Sequence, residues 1–345
     1  TTSAGNVATL NRVILPVIRR VMPTVIANEL VGVQPMTGPV GQIHTLRVRY
    51  SDTVGSGASG ASAGEEALSP FKIAEAYSGN ASTGKADNTA VLEGAAGNKL
   101  SIQILKQTVE AKTRKLSARW TFEAAQDAQS MHGIDVEAEI MAALAQEITA
   151  EIDQEVIASL NTLAGTAGQT YDQAAVSGTA TFVGDEHAAL AVQINRVSNQ
   201  IAQRTRRGAG NWAVVSPFAL TILQSATTSA FARTTEGTFE APTNTKMVGT
   251  LNNAMKVYVN TYAADNANVL VGYKGSSESD AAAFYCPYIP LMSSGVVLDP
   301  STFEPTVSFM TRYGYIELSN TASSLGNAAD YLGAVAITNG NVSFS

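Results

Sequence analysis

Apolar and polar positions alternate with a period of two early in the chain. His44, Leu46, Val48 and Tyr50 share one side, and Ile43, Thr45, Arg47 and Arg49 share the other, which predicts a strand over Ile43–Tyr50. The same period returns over Leu100–Thr121, at Ile102 and Ile104, at Val109 and Ala111, and at Leu116, Ala118 and Trp120. Between these runs, Ser51–Gly97 is dominated by Gly, Ala and Ser. Two strand patterns around such a stretch predict an extended hairpin with a wide tip. The alternative is a flexible linker between domains. Upstream, Asn11–Val33 mixes apolar residues with Arg12, Arg19 and Arg20, and Pro16 and Pro23 forbid one long helix. This predicts an extended arm with short helical pieces, which must pack on something else because it has no core of its own.

The period then lengthens. Ile140, Leu144, Ile148, Ile152, Val156 and Leu160 recur every four residues, with Met141, Ala145 and Ile157 widening the stripe. One buried helix face over about 134–163 follows, stopping near Gly165. Glu137, Glu139, Glu147, Glu151, Asp153 and Glu155 are read onto the opposite face. Beyond it the pattern predicts a helix from Asp185 to about Arg204, a strand over Trp212–Val215 and a helix over Phe218–Gln224. Strands follow at Lys256–Asn260, Val269–Gly272, Ala283–Tyr285 and Thr306–Glu317. No βαβα regularity or internal repeat is present, so the class is α+β.

Charge is segregated. No Lys or Arg occurs between Trp120 and Asn195, while Arg47 and Arg49 sit on the first strand run and Lys106, Lys112, Arg114, Lys115 and Arg119 on the second. One reading is two solvated faces of opposite sign. The sharper reading is an intersubunit interface, with a cationic hairpin carrying Arg47, Arg49, Lys112, Arg114, Lys115 and Arg119 laid across a neighbour's helix carrying Glu137, Glu139, Glu147, Glu151 and Glu155. An exposed ion pair contributes only about 0–1 kcal/mol, so such pairs would set register and partner choice rather than affinity.

Composition adds limits. The 345 residues are 45% hydrophobic, enough for a sizeable core, but only 15% charged, which hints at surface buried against partners. The net charge of −7 argues against a chain whose main task is gripping phosphate. A single cysteine, Cys286, leaves no internal disulfide framework and suits a reducing cytoplasm. No apolar run approaches the roughly 20 residues needed to span a bilayer, and Val13–Ile18 is too short for a signal peptide. No membrane partner is expected. The start at Thr1, without methionine, suggests processing or trimming.

Chemical motifs are weak. Gly60-Ala61-Ser62-Ala63-Gly64 matches a nucleophile elbow, but more Gly, Ser and Ala precede it instead of an apolar strand. A serine hydrolase using Ser62 therefore ranks behind the other readings. Gly55–Gly60 matches a dinucleotide fingerprint with Glu75 at ribose distance, yet no βαβ unit follows. His44, His132 and His187 share no metal spacing and read as capping or packing residues. No catalytic residue, cofactor or metal is expected.

Three segments carry a family resemblance. Leu30–Ile43, with Pro35-Met36-Thr37-Gly38-Pro39, resembles the N-terminal signature of T-even-type phage major capsid proteins. The block Lys112–Val156, with Ala124-Ala125-Gln126-Asp127 and His132-Gly133-Ile134-Asp135, is similar to the same family. So are Lys256–Val259, Val271-Gly272-Tyr273-Lys274-Gly275, Tyr285-Cys286-Pro287-Tyr288 and Thr311-Arg312-Tyr313-Gly314. The resemblance implies the Hong-Kong-97-type capsid fold. On that plan residues 1–45 are an N-terminal arm and 46–119 an extended loop. Residues 120–184 and 284–345 are a peripheral domain with the spine helix, and 185–283 an axial domain.

The resemblance further implies a homo-oligomer of hexamers and pentamers in a virion shell, icosahedral or prolate, assembled in the host bacterial cytoplasm. Its implied partners are a scaffold, a prohead protease, a portal and packaged double-stranded DNA without sequence-specific contact. Loss of an N-terminal propeptide would account for Thr1. Ser51–Gly97 is too short and too poor in apolar residues for the insertion domain often found in this type, which leaves its bridging role to a longer hairpin or a cement protein. An encapsulin-type nanocompartment shell shares the fold and is the runner-up.

Overall fold

The computed structural model describes residues 26–55, 60–68, 73–172, 183–225, 231–233, 246–251, 254–318 and 328–338. Helix α1 (Ala27–Leu30) leads into strands β1 (Gly32–Val33) and β2 (Val40–Tyr50). After α2 (Thr89–Leu92) come β3 (Leu100–Glu110), β4 (Lys112–Arg119), α3 (Phe122–His132), α4 (Val136–Ala164) and β5 (Gln169–Asp172). Helix α5 (Val183–Thr205), β6 (Trp212–Val215), α6 (Pro217–Ser225), β7 (Phe231–Arg233), β8 (Lys246–Leu251), β9 (Met255–Val259) and β10 (Val269–Gly272) follow. The described residues end with β11 (Ala283–Ser293), β12 (Val297–Leu298), β13 (Pro305–Glu317), a 3-10 turn at Ala328–Tyr331 and β14 (Leu332–Thr338).

Among the described residues, two sheets and one hairpin result. The larger sheet has seven strands in the order β5-β14-β10-β6-β9-β8-β7. Every residue of its central strands β6 and β10 is buried, as expected for strands covered on both faces. One face packs on α5 and α6 through Leu190, Ile194, Val197, Ile201, Leu220 and Leu223. The other meets α1 and the C-terminal half of α4 through Leu30, Val156, Ile157 and Leu160. The second sheet joins β1, β11, β13, β12 and β4, and its core sets Trp120, Val307 and Phe309 against Leu144 and Ile148 of α4.

Helix α4 therefore runs under both sheets, at 29 residues roughly 43 Å long. Its limits follow from its ends. Asp135 caps it by accepting hydrogen bonds from the backbone N–H of Glu137 and Ala138. Glu137 and Glu139 occupy the first turn, where carboxylates suit the helix dipole. Gly165, with φ +67°, ends it.

Several sequence expectations need correction. Leu100–Thr121 is not one arm of a hairpin: the pattern breaks at Ala111, and β4 pairs with β13 from Thr306↔Arg119 to Tyr313↔Lys112. The even-numbered side of β4 lies on α4, where Leu116 and Ala118 join the core with Ile140 and Met141. This apolar face is better buried there than it would be on an isolated hairpin. The extended-loop range 46–119 thus loses β4 with Lys112, Arg114, Lys115 and Arg119. The stretches 120–184 and 284–345 are not confined to one unit either, because β5 and β14 sit side by side in the seven-stranded sheet. The arm's residues 1–25 and positions 56–59 of the glycine fingerprint lie outside the described residues.

Candidate functional site

The hairpin is the first candidate. β2 and β3 pair without a break from Val40↔Glu110 to Tyr50↔Leu100. The outer edge of β2 takes a third segment, with Ala67 N–H donating to Val48 O and Tyr50 N–H to Glu65 O. Arg47, 3% exposed, is held by Glu66 at 3.1 Å, and Arg49 donates to Gly64 O. The tip is a built knob. Tyr77 packs on Tyr50 with the rings tilted and their centroids 4.5 Å apart, its hydroxyl donates to Lys99 O, and Asn98 donates to Tyr77 O. At its root the hairpin lies on β13, where a Cβ at Gly314 would come within 2.6 Å of Val109.

One face of this hairpin is apolar and bare. Leu46 faces Ile104, Val48 faces Ile102 and Tyr50 faces Leu100 across the strands. Leu46, Leu100, Ile102 and Ile104 are 55 to 70% exposed. Period-two alternation in a two-stranded ribbon puts half the side chains on each side, and here no layer of the described chain covers this side.

The charge cluster is the second candidate, and it is intramolecular. Arg114 reaches Glu151 at 3.0 Å and Glu155 at 2.7 Å, and its Nε donates to the Tyr313 hydroxyl at 2.8 Å. Tyr313 in turn donates to Glu155. The hydrogen bond to Glu155, then that to Tyr313, raises the Arg114 pKa. Desolvation pushes Glu155 upward, but the bonds from Tyr313 and Arg114 outweigh it and leave the carboxyl below its ordinary range. Burial, with Glu155 beside it, pushes the Tyr313 phenol up to about 12. The expected pairing of Arg114 with an acidic helix thus occurs with the chain's own helix.

The other expected interface residues scatter. Arg119 lies 3.4 Å from Glu304, Lys112 and Lys115 are exposed on β4, and Glu147 is exposed on α4. Ser62 sits on an exposed turn, its N–H bonded to Glu65, and the next described helix is α2, so no elbow is formed. His187 is buried against Ser225, and His132 closes the last turn of α3.

Asp153 does not share the solvated face assigned to it. It is 2% exposed and accepts from the N–H groups of Ile26 and Ala27 at 3.1 and 2.9 Å, clasping the root of the arm. Burial raises its pKa, against those two bonds. Its placement four residues before Ile157 and three before Val156 was the available signal. Lys274, donating to Asn28 O, and Glu278, accepting from Val33 N–H, hold the same segment. Beside it an apolar groove of about 300 Å³ runs along α4, lined by Ile148, Ile152, Pro287, Ile289 and Leu291.

Comparison with known proteins follows this geometry. The family described as Major capsid protein Gp23 matches residues 7–337. The major capsid protein of Vibrio phage KVP40 is 30% identical over 417 residues, covering 95% of this chain and 80% of that one. That of Enterobacteria phage T4 is 30% identical over 400 residues, covering 90% and 76%. Among solved structures, a chain from Microbacterium phage Oxtober96 superimposes with TM-score 0.57 at 12% identity over 96% of each chain. The capsid of Myoviridae Phage XM1 gives 0.55 at 11% identity, over 98% of this chain and 99% of that one. At such identities these two speak for the fold alone, which is the Hong-Kong-97-type capsid fold.

Proposed function

Because the chain belongs to the major capsid protein Gp23 family, we propose that its copies associate as hexamers and pentamers through the bare face of the hairpin. It is a major capsid protein of a tailed phage, and membership of this family sets aside the nanocompartment reading. We further propose a head enclosing double-stranded DNA, assembled in the host cytoplasm with a scaffold, a prohead protease, a portal and a cement protein. No catalytic role is assigned to Ser62 or to any other residue.

The observation that carries the association is the exposed ladder of Leu46, Leu100, Ile102 and Ile104. Covering side chains this exposed contributes about 1 to 2 kcal/mol each, roughly 4 to 8 kcal/mol per hairpin. Exposed ion pairs contribute about 0–1 kcal/mol, so apolar burial supplies affinity and charge supplies register. Arg47 and Arg49 are already engaged within the chain. Arg119 is likewise paired with Glu304, so Lys112 and Lys115, with Glu137 and Glu147, remain for the register. The groove along α4 offers a matching apolar surface on the neighbouring copy.

The double variant Leu46→Lys with Ile104→Glu, which places opposite charges on directly paired positions, tests this. Both positions are solvent-facing, so the single chain should fold with an unchanged circular dichroism spectrum and unfolding midpoint. Electron microscopy should find no closed shells. Closed shells of normal size from that variant would refute the docking role of the ladder.

A further inference from the structure

The chain is acidic overall, yet one cavity reverses the sign. A cavity of about 430 Å³ opens between the middle of β2 and the C-terminal end of α5. Four guanidinium groups line it: Arg47 from β2, Arg204 from the last turn of α5, and Arg206 and Arg207 just beyond. Among the described lining residues Glu66 is the carboxylate, and Asp280 and Asp330 stand behind Arg207 and Arg204, so four positive charges meet three negative ones at or just behind the wall.

The walls are organised. Arg47 is fixed by Glu66 at 3.1 Å, and Arg207 by Asp280 at 3.0 Å. Arg204 donates through Nη2 to Leu332 O at 3.1 Å, but its Nε is buried with no hydrogen-bond partner. Burial lowers the Arg204 pKa, with Asp330 opposing, so an anion at this guanidinium offsets a desolvation cost already present. Both walls also carry backbone strain, at Arg206 with φ +52° and at Leu68 with φ +62°. Left-handed backbone at residues other than Gly, Asn or Asp persists where the surroundings impose it, and such positions gather at ligand clamps.

We propose that this cavity binds a small multivalent oxyanion of the phosphate class, held between Arg204 and Arg206 on one wall and Arg47 on the other. The planar fork of arginine matches two phosphate oxygens at once, and several forks on one cavity favour a multiply charged anion over a single carboxylate. The anion ties β2 to the end of α5. It therefore fixes the angle at which the hairpin leaves the seven-stranded body. Leu46 borders both this cavity and the exposed ladder, so binding is tested on the unassembled chain.

Isothermal titration calorimetry on the purified, unassembled full chain tests it, with inorganic pyrophosphate as probe at constant ionic strength. A short DNA duplex forms the second arm. Arg206→Asn removes a guanidinium while tolerating the left-handed backbone, and Arg119→Gln controls for loss of a surface charge elsewhere. Saturable 1:1 binding is expected, roughly tenfold weaker in R206N and unchanged in R119Q. Absence of saturable binding, or equal weakening in both variants, overturns the proposal. Binding of the duplex alone, with the same dependence on Arg206, also overturns it and assigns the cavity to a nucleic-acid backbone. If R206N fails to fold, amide exchange of the unaltered chain decides. Pyrophosphate should slow exchange at 44–48 and 204–208, and no slowing overturns the site.

Discussion

Replacing Asp153 with Ala probes the clasp between α4 and the root of the arm. The Asp153 carboxylate is the acceptor for two backbone N–H groups, on Ile26 and Ala27, which are 3% and 4% exposed. Water cannot replace it without opening the core. Each buried N–H left without an acceptor costs about 1–3 kcal/mol, while removing a carboxylate that burial disfavours returns part of this. A net loss of about 2 to 4 kcal/mol follows. Undocking the root instead would expose Ile26, Leu30 and Val31, at about 1.5–3 kcal/mol each, which exceeds that loss. The root should therefore stay docked but open more often. Hydrogen exchange followed by mass spectrometry should show protection of residues 26–33 falling roughly 30- to 1,000-fold, with a lower unfolding midpoint. Protection within threefold of the unaltered chain, at an unchanged midpoint, would refute the clasp. The pH dependence has a definite sign. Burial raises the folded-state pKa of Asp153, so the cost of ionising it is present above that pKa. The cost is relieved as pH falls toward the unfolded value of about 3.9. The advantage of the unaltered chain over the Ala variant should widen on acidification through that range.

Arg114→Gln should lower stability by about 1 kcal/mol, because the Arg114 pairs are half-exposed and screened; chemical denaturation measures it, and a loss above about 3 kcal/mol would contradict the screening argument. Glu155 is held below its ordinary range, so its contribution is present above about pH 4.3 and is lost as pH falls through the folded pKa. Glu155→Gln should flatten that acid limb, and an unchanged limb would assign it to other carboxyls. Gly314→Ala places a Cβ within 2.6 Å of Val109 and 3.2 Å of Glu110 O. It should cost about 1–3 kcal/mol and speed proteolysis in the hairpin, and a fully stable variant would mean that the hairpin root shifts freely.

The helical period that reads α4 from Ile140 to Leu160 also finds its ends, because Asp135 and Gly165 are local signals that need no tertiary information. Trp212–Val215 and Val269–Gly272 are equally legible, since central buried strands are continuous apolar runs. β4 is not. Its alternation is as good as that of β3, and the choice between hairpin and sheet depends on β13, nearly two hundred residues away. β5, four residues of mostly polar type, gives too little pattern to assign to a sheet before its neighbours are known. The charge segregation was legible but its meaning was not. Arg114 alternates like its neighbours, and only the pairing of β4 with β13 brings it over Glu151 and Glu155. The bare hairpin face was visible as residue types, while its exposure depends on nothing in the described chain lying over it.

The five-stranded sheet sets a timetable for synthesis. Gly32 of β1 pairs with Phe284 of β11, and 284 − 32 = 252 positions separate them. At ribosomal speeds of about 5–20 residues per second, β1 waits roughly 13 to 50 s for its partner. β4 waits for β13 in the same way. During that interval the apolar sides of β1 and β4 and the ladder of the hairpin are all uncovered, so the nascent chain is most prone to aggregate before its last third emerges. The same delay acts as a proofreading step: a chain released early lacks β11 and β13, cannot close this sheet, and offers no finished subunit to a growing shell.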